Sequence, residues 1–191
     1  MKLYHVSRCP DIEILQPKKS THGIPYVYAT SNLEFAFLFG SSKSYGDFDG
    51  SYGIINGKPY FYEAYPNALK RRFENEVCYI YEVDSKTFKS GKTSFGAEVV
   101  SEEPVKVLNC KKVDNLYSLL LSLIDEGKLE YRPYNENSAE YVEMINAHIK
   151  DRLISFGILQ NKDSMIYKFC KEKFASLIYE LESSNEQNKE Q

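Results

Sequence analysis

The sequence predicts an α+β fold: strands with short helices first, then a helical C-terminal extension. Up to about residue 113 the apolar residues fall in short runs rich in β-formers, bounded by Gly, Pro, Ser and Asn. Beyond that point they recur at helical spacing. The length of 191 residues suffices for one core and a smaller appendage. The expected division is therefore residues 1–113 as the β-rich domain, 114–183 as the helical region and 184–191 as a polar, frayed tail.

Each element has its own signal. "KLYHVS" (2–7) is short and partly alternating, and "PYVYAT" (25–30) is rich in β-formers between a proline and a Ser-Asn pair. A helix over Leu33–Phe39 follows, with Ser31 or Asn32 as its N-cap and Gly40 at its end. "SYGIINGKPYFYEAY" (51–65) carries Asn56-Gly57 between two apolar runs and reads as a hairpin. A short helix fits Pro66–Glu76. "VCYIYEVD" (77–84) alternates Cys78, Ile80 and Glu82 against Tyr79, Tyr81 and Val83. "AEVVSEEPVKVL" (97–108) reads as a last strand. The helical part holds three segments: Asp114 as cap to Gly127 as stop, Ser138 to Gly157, and "DSMIYKFCKEKFASLIYELE" (163–182). In the second, Tyr141, Ile145, Ile149 and Phe156 fall near one face. In the third, Ile166, Phe169, Phe174, Leu177, Ile178 and Leu181 share helical spacing.

Composition narrows the function classes. Apolar residues are 42% and charged residues 27%, with a net charge of −3. Charge alone gives nucleic-acid binding no support. The 16 Tyr and 11 Phe read mostly as packing residues of strands and helices. The four cysteines, at 9, 78, 110 and 170, form no CxxC pair, and the histidines at 5, 22 and 148 do not cluster with them. No metal site is expected. Reduced thiols, a start without an apolar leader run and no apolar stretch of about 20 residues lead us to expect a cytoplasmic protein without membrane contact.

Three residues stand out on successive strand-like segments: His5, Tyr28 and Glu98. Each alone has an ordinary reading, as a structural imidazole, a packing ring and a solvated carboxylate. In this order they resemble the ADP-ribosyltransferase fold of the H-Y-E class, which includes diphtheria-like toxins and poly(ADP-ribose) polymerases. Tyr4-His5 matches the first motif. "YVYAT" before a helix is similar to the second, and is nearest in texture to the small rifampin ADP-ribosyltransferases. "EVVSEEPVKV" (98–107) resembles the acidic third motif. The resemblance spans residues 1–113 and implies an ADP-ribosyltransferase-like split β-sheet core.

The resemblance implies a substrate, NAD⁺ (NAD), and a role for each residue. Tyr28 would offer a flat π-face to the cationic nicotinamide ring. Phe39, eleven residues after it, matches a second aromatic of the family and would close a clamp, with Phe35 and Tyr45 as nearby alternatives. His5 would hold a ribose hydroxyl, Val6 would grip the carboxamide through its backbone, and Glu98 would accept from the ribose 2′-hydroxyl beside a developing oxocarbenium cation. Arg8, Lys18 and Lys19 could meet the pyrophosphate, although a solvated face suits the two lysines better. Family members that modify arginine carry Gln or Glu two residues before the catalytic Glu. Gly96 stands there, which disfavours an arginine acceptor. Ser94 and Phe95, in the loop before Glu98, are candidates for acceptor recognition. The acceptor is left open among protein, nucleic acid, small molecule or, in a glycohydrolase, water. A non-catalytic interaction module on the same fold is the alternative. The C-terminal helices would then take a partner protein, as in bacterial members that are toxins paired with an antitoxin.

Overall fold

The computed structural model describes residues 1–19, 24–93 and 96–187 and shows a mixed α+β chain with six α-helices among those residues. Two compact units are built from interleaved stretches. The first takes Met1–Ser44, Tyr52–Phe61 and Leu69–Tyr131; the second takes Tyr45–Ser51, Tyr62–Ala68 and the chain from Arg132 onward.

In the first unit, β1 (Lys2–Ser7), β2 (Ile14–Leu15), β7 (Cys78–Asp84) and β10 (Val105–Val113) form a sheet in the order β1-β7-β10-β2. A second sheet runs β3-β4-β9-β8, from β3 (Lys18–Lys19), β4 (Pro25–Ala29), β8 (Lys89–Ser90) and β9 (Val99–Ser101). Among the described residues a bridge between Tyr4 and Thr30 joins the two sheets. Tyr4 N–H donates to the Thr30 carbonyl at 2.8 Å and Thr30 N–H returns the bond to Tyr4 at 3.0 Å. Strand β7 is sandwiched. Its Cys78 and Ile80 belong to one apolar cluster, with Phe35, Phe61, Phe73, Leu116 and Leu120. Its Tyr81 and Val83 belong to another, with Leu3, Leu15, Val27 and Val105. The alternation in "VCYIYEVD" thus marks two buried faces rather than one buried and one wet.

The stretch 97–108 differs from its single-strand reading. It splits into β9 and β10, which lie in different sheets. The break falls at "SEEP", where Ser101 Oγ accepts from Glu103 N–H at 3.2 Å and bonds the Thr87 hydroxyl at 2.9 Å. Pro104, with no N–H to give a ladder, ends the first run.

Helix α1 is shorter than its apolar spacing suggests. It spans Leu33–Ala36 and tightens into a 3-10 turn over Phe37–Phe39. Asn32 caps it, accepting from Phe35 N–H at 2.7 Å. Gly40 is not there for a left-handed turn, since its φ is −79°. A Cβ at that position would lie 2.8 Å from Leu116 Cδ2 and 3.0 Å from Cys78 Sγ, so glycine is needed for space. Strands β5 (Gly50–Ile55) and β6 (Lys58–Glu63) turn at Asn56 (φ 51°) and Gly57 (φ 79°). Those values make the turn the type that matches strand twist. β11 (Glu130–Arg132) extends that sheet in the order β11-β6-β5. Helix α2 covers Ala68–Phe73. Helix α3 covers Leu116–Asp125, with Asn115 rather than Asp114 as its cap through Ser118 N–H at 3.0 Å.

The second unit is mainly helical. Helix α4 (Ala139–Ser155) is capped by Ser138 and buries Tyr141, Ile145, Ile149 and Leu153, an i, i+4 stripe. Leu153 completes that stripe, while Phe156 lies 53% exposed past the helix end. The third apolar segment is two helices, α5 (Met165–Lys173) and α6 (Ala175–Gln187), broken at Phe174. The buried carboxylate of Asp49 accepts from the Tyr65 hydroxyl and from Tyr45 N–H, both at 2.7 Å. Tyr45 stacks on Phe169 with centroids 3.9 Å apart. Among the described residues no helix is long and apolar enough to cross a membrane.

Candidate functional site

In the first unit a cavity of about 290 Å³ opens where β1, the end of β4, α1 with its following turn, and the start of β9 converge. Its lining includes His5 and Val6 from β1, Tyr28 from β4, Phe39 from the 3-10 turn, and Glu98 just before β9. Three separate stretches of sequence thus deliver their chemistry-bearing side chains to one concavity.

Register explains how. β4 and β9 pair antiparallel with Tyr28 opposite Val100 and Ala29 opposite Val99. Glu98 immediately precedes Val99, and Thr30, the residue whose backbone bridges to Tyr4, immediately follows Ala29. His5 is next along β1. The bridge also orients β1. Tyr4 uses its N–H and C=O toward Thr30, so Val6, two residues on, presents its own N–H and C=O on the same edge.

The imidazole is fixed. His5 Nδ1 lies 2.7 Å from the Tyr28 carbonyl oxygen. A carbonyl only accepts, so Nδ1 carries the proton, and Nε2 of the neutral ring keeps its lone pair. Burial holds this imidazole below its ordinary value of 6.5; the Tyr28 carbonyl opposes that shift and the nearby Lys18 charge adds to it. His5 is therefore a neutral, oriented hydrogen-bonding group near pH 7.

The aromatic wall is partly exposed. Tyr28 meets Tyr26 edge-on with centroids 5.9 Å apart. Phe39 is 41% exposed and meets Phe35 edge-on at 5.1 Å. Phe35 lies wholly inside the core while also lining the cavity. Glu98 is half-buried.

Among the described residues, Arg8, Lys18, Lys19 and Tyr45 do not line this cavity. Arg8 is exposed and is not part of the lining; Lys18 and Lys19 are exposed on β3. Ser94 and Phe95 lie outside the described residues. Tyr45 belongs to the second unit. The structure adds Tyr4, Ala29, Thr30 and Ala36 to the lining. Thr30 had a faint signal, as the last residue of "YVYAT" before a helix cap. Among the described residues no three His, Cys, Asp or Glu side chains gather as metal ligands would.

Chemically, the cavity pairs flat rings with a neutral imidazole, a carboxylate and backbone donor and acceptor groups. Compared with known proteins, the chain matches no family model, no curated protein and no solved structure.

Proposed function

We propose that the first unit has an ADP-ribosyltransferase-like split-sheet core of the H-Y-E kind, binds NAD⁺ as substrate and transfers ADP-ribose to an acceptor. The observation that carries this reading is the convergence of His5, Tyr28 and Glu98, with Val6 and Phe39, on one cavity. The two four-stranded sheets joined at the Tyr4–Thr30 bridge support it as well. At about 290 Å³ the cavity sits near the lower end for ligand pockets. That size suits the nicotinamide and its ribose, with the rest of the dinucleotide extending beyond these residues.

The residues divide the work. Tyr28 and Phe39 hold the cationic ring against π-faces, contacts worth about 0.5–2 kcal/mol each. Val6 offers its N–H and C=O to the carboxamide. His5, with Nδ1 committed to Tyr28, accepts a ribose hydroxyl at Nε2. Glu98 accepts from the 2′-hydroxyl and opposes positive charge on the sugar as the ring leaves. In the reaction the C1′–N bond breaks with its electron pair going to nicotinamide. The acceptor's nucleophile then bonds C1′ and loses its proton. Where water is the acceptor the same site is an NAD⁺ glycohydrolase.

The test is nicotinamide release from NAD⁺ by the purified protein. Glu98→Gln is expected to lower it by at least about 10²-fold, and Tyr28→Ala to weaken NAD⁺ binding. Equal release by wild type and Glu98→Gln removes the role given to Glu98. Calorimetry that finds no NAD⁺ binding at millimolar ligand favours the interaction module instead. That second reading draws on the second unit, where Ile154, Phe156, Met165 and Tyr179 are exposed at 53–74% and offer apolar surface to a partner protein.

A further inference from the structure

The wall residue Phe39 is not held by its own burial, since 41% of it is exposed. It sits on a short 3-10 turn. Phe35 meets it edge-on, and Arg72 contacts the chain on both sides of it. Arg72 is 1% exposed, among the largest fully buried side chains. Its Nη2 donates to the Leu38 carbonyl at 2.7 Å, immediately before Phe39. Its own carbonyl accepts from the Ser41 hydroxyl, two residues after Phe39. Its guanidinium carbon lies 5.0 Å from the Tyr52 ring centroid, and the Tyr52 ring meets Phe39 edge-on at 6.0 Å.

A buried guanidinium is a costly way to fill space, because an apolar side chain would fill it without desolvating a charge. What it supplies is geometry: a planar fork that bonds a carbonyl while its face lies on an aromatic ring. Lysine can bond a carbonyl or sit over a ring, but its compact ammonium has no planar fork to do both in fixed geometry.

We propose that Arg72 is a positioning residue that fixes Phe39 on the cavity wall through the Leu38 carbonyl and the Tyr52 ring. Its consequence for ligand binding rests on the NAD⁺ reading above; its consequence for Phe39 does not. Arg72 does not line the cavity and acts through the turn and the Tyr52 ring.

The experiment places 4-fluorophenylalanine at position 39 and compares Arg72→Lys, Arg72→Met and Tyr52→Leu by fluorine NMR and by NAD⁺ binding. The expected result is a shifted, broadened resonance at position 39 in all three variants. NAD⁺ binding should weaken about tenfold in Arg72→Met, with KM rising more than kcat falls, and Arg72→Lys should not rescue it. Phe39→Ala combined with Arg72→Met should be no weaker than Phe39→Ala alone. An unchanged fluorine resonance, or additive losses in the double variant, overturns the proposal. Should wild type bind no NAD⁺, the functional reading falls while the fluorine signal still decides the role of Arg72. Should Arg72→Met fail to fold, Arg72→Lys decides by the same two readouts.

Discussion

His5 donates through Nδ1 to the backbone carbonyl of Tyr28, 2.7 Å away, so one hydrogen bond ties the first candidate side chain to the strand that carries the second. It also sets the pH response. The imidazole titrates below its ordinary 6.5. Protonation would turn Nε2 from acceptor to donor and put a positive charge beside a cationic ring. NAD⁺ affinity is therefore expected to be level from about pH 7 to 8 and to weaken as pH falls below 6.5. Calorimetry across that range checks it, and His5→Gln should bind weakly with a flattened profile.

Stability should follow the same direction for a separate reason. Burial holds His148 below its ordinary 6.5 too, chiefly by desolvation, against the bond to the Asp47 carbonyl. Between the lowered native values and 6.5, the unfolded chain binds protons that the native chain does not. Stability then rises with pH, and it falls on acidification from 6.5 toward the native values. Melting temperature measured from neutral pH downward should drop in that window. The drop should shrink in His148→Asn.

The four thiols should split into two classes. Burial pushes Cys78 up to about 11 and Cys170 up to about 12, whereas Cys9 and Cys110 are exposed. Alkylation at about pH 8 labels through the thiolate, so the native protein should label at Cys9 and Cys110 first. Cys78 and Cys170 should react at a comparable rate only after denaturation. Peptide mapping reads the order directly.

Gly40→Ala should destabilise the first unit. The added methyl would press Leu116 Cδ2 at 2.8 Å and the Cys78 side chain at 3.0 Å. Overpacking of this kind costs about 1–3 kcal/mol. The melting temperature should fall by about 2–4 °C for each kcal/mol in a chain of this size. A melting temperature equal to wild type would show that Leu116 yields at no cost.

Much of this architecture is legible from local chemistry. Asn32, Ser138 and the Asn56-Gly57 turn act through neighbours within a few residues, so sequence alone exposes them. Other features depend on distant partners. Gly40 looks like a helix stop, but its reason lies in Leu116 and Cys78. β2, β3, β8 and β11 are two or three residues long and owe their pairing to the strand beside them, which leaves no periodic trace. Helices α5 and α6 break at Phe174 with no Gly or Pro between them, and the buried apolar spacing runs on through the break, so the sequence reads as one segment. In the candidate site the order His5, Tyr28, Glu98 is visible in the sequence. Their approach is not, because it depends on the β4–β9 register and on a bridge between strands far apart in the chain.

That bridge has a consequence for motion. Among the described residues the two four-stranded sheets share a reciprocal pair of amides at Tyr4 and Thr30, and the cavity is lined from both sides of it. Widening the mouth therefore means opening those two amides together with the His5–Tyr28 bond, while each sheet's own ladder stays intact. Solvent deuterium should enter both at one common rate, faster than in β7, and any molecule lodged across the seam should slow the pair in step.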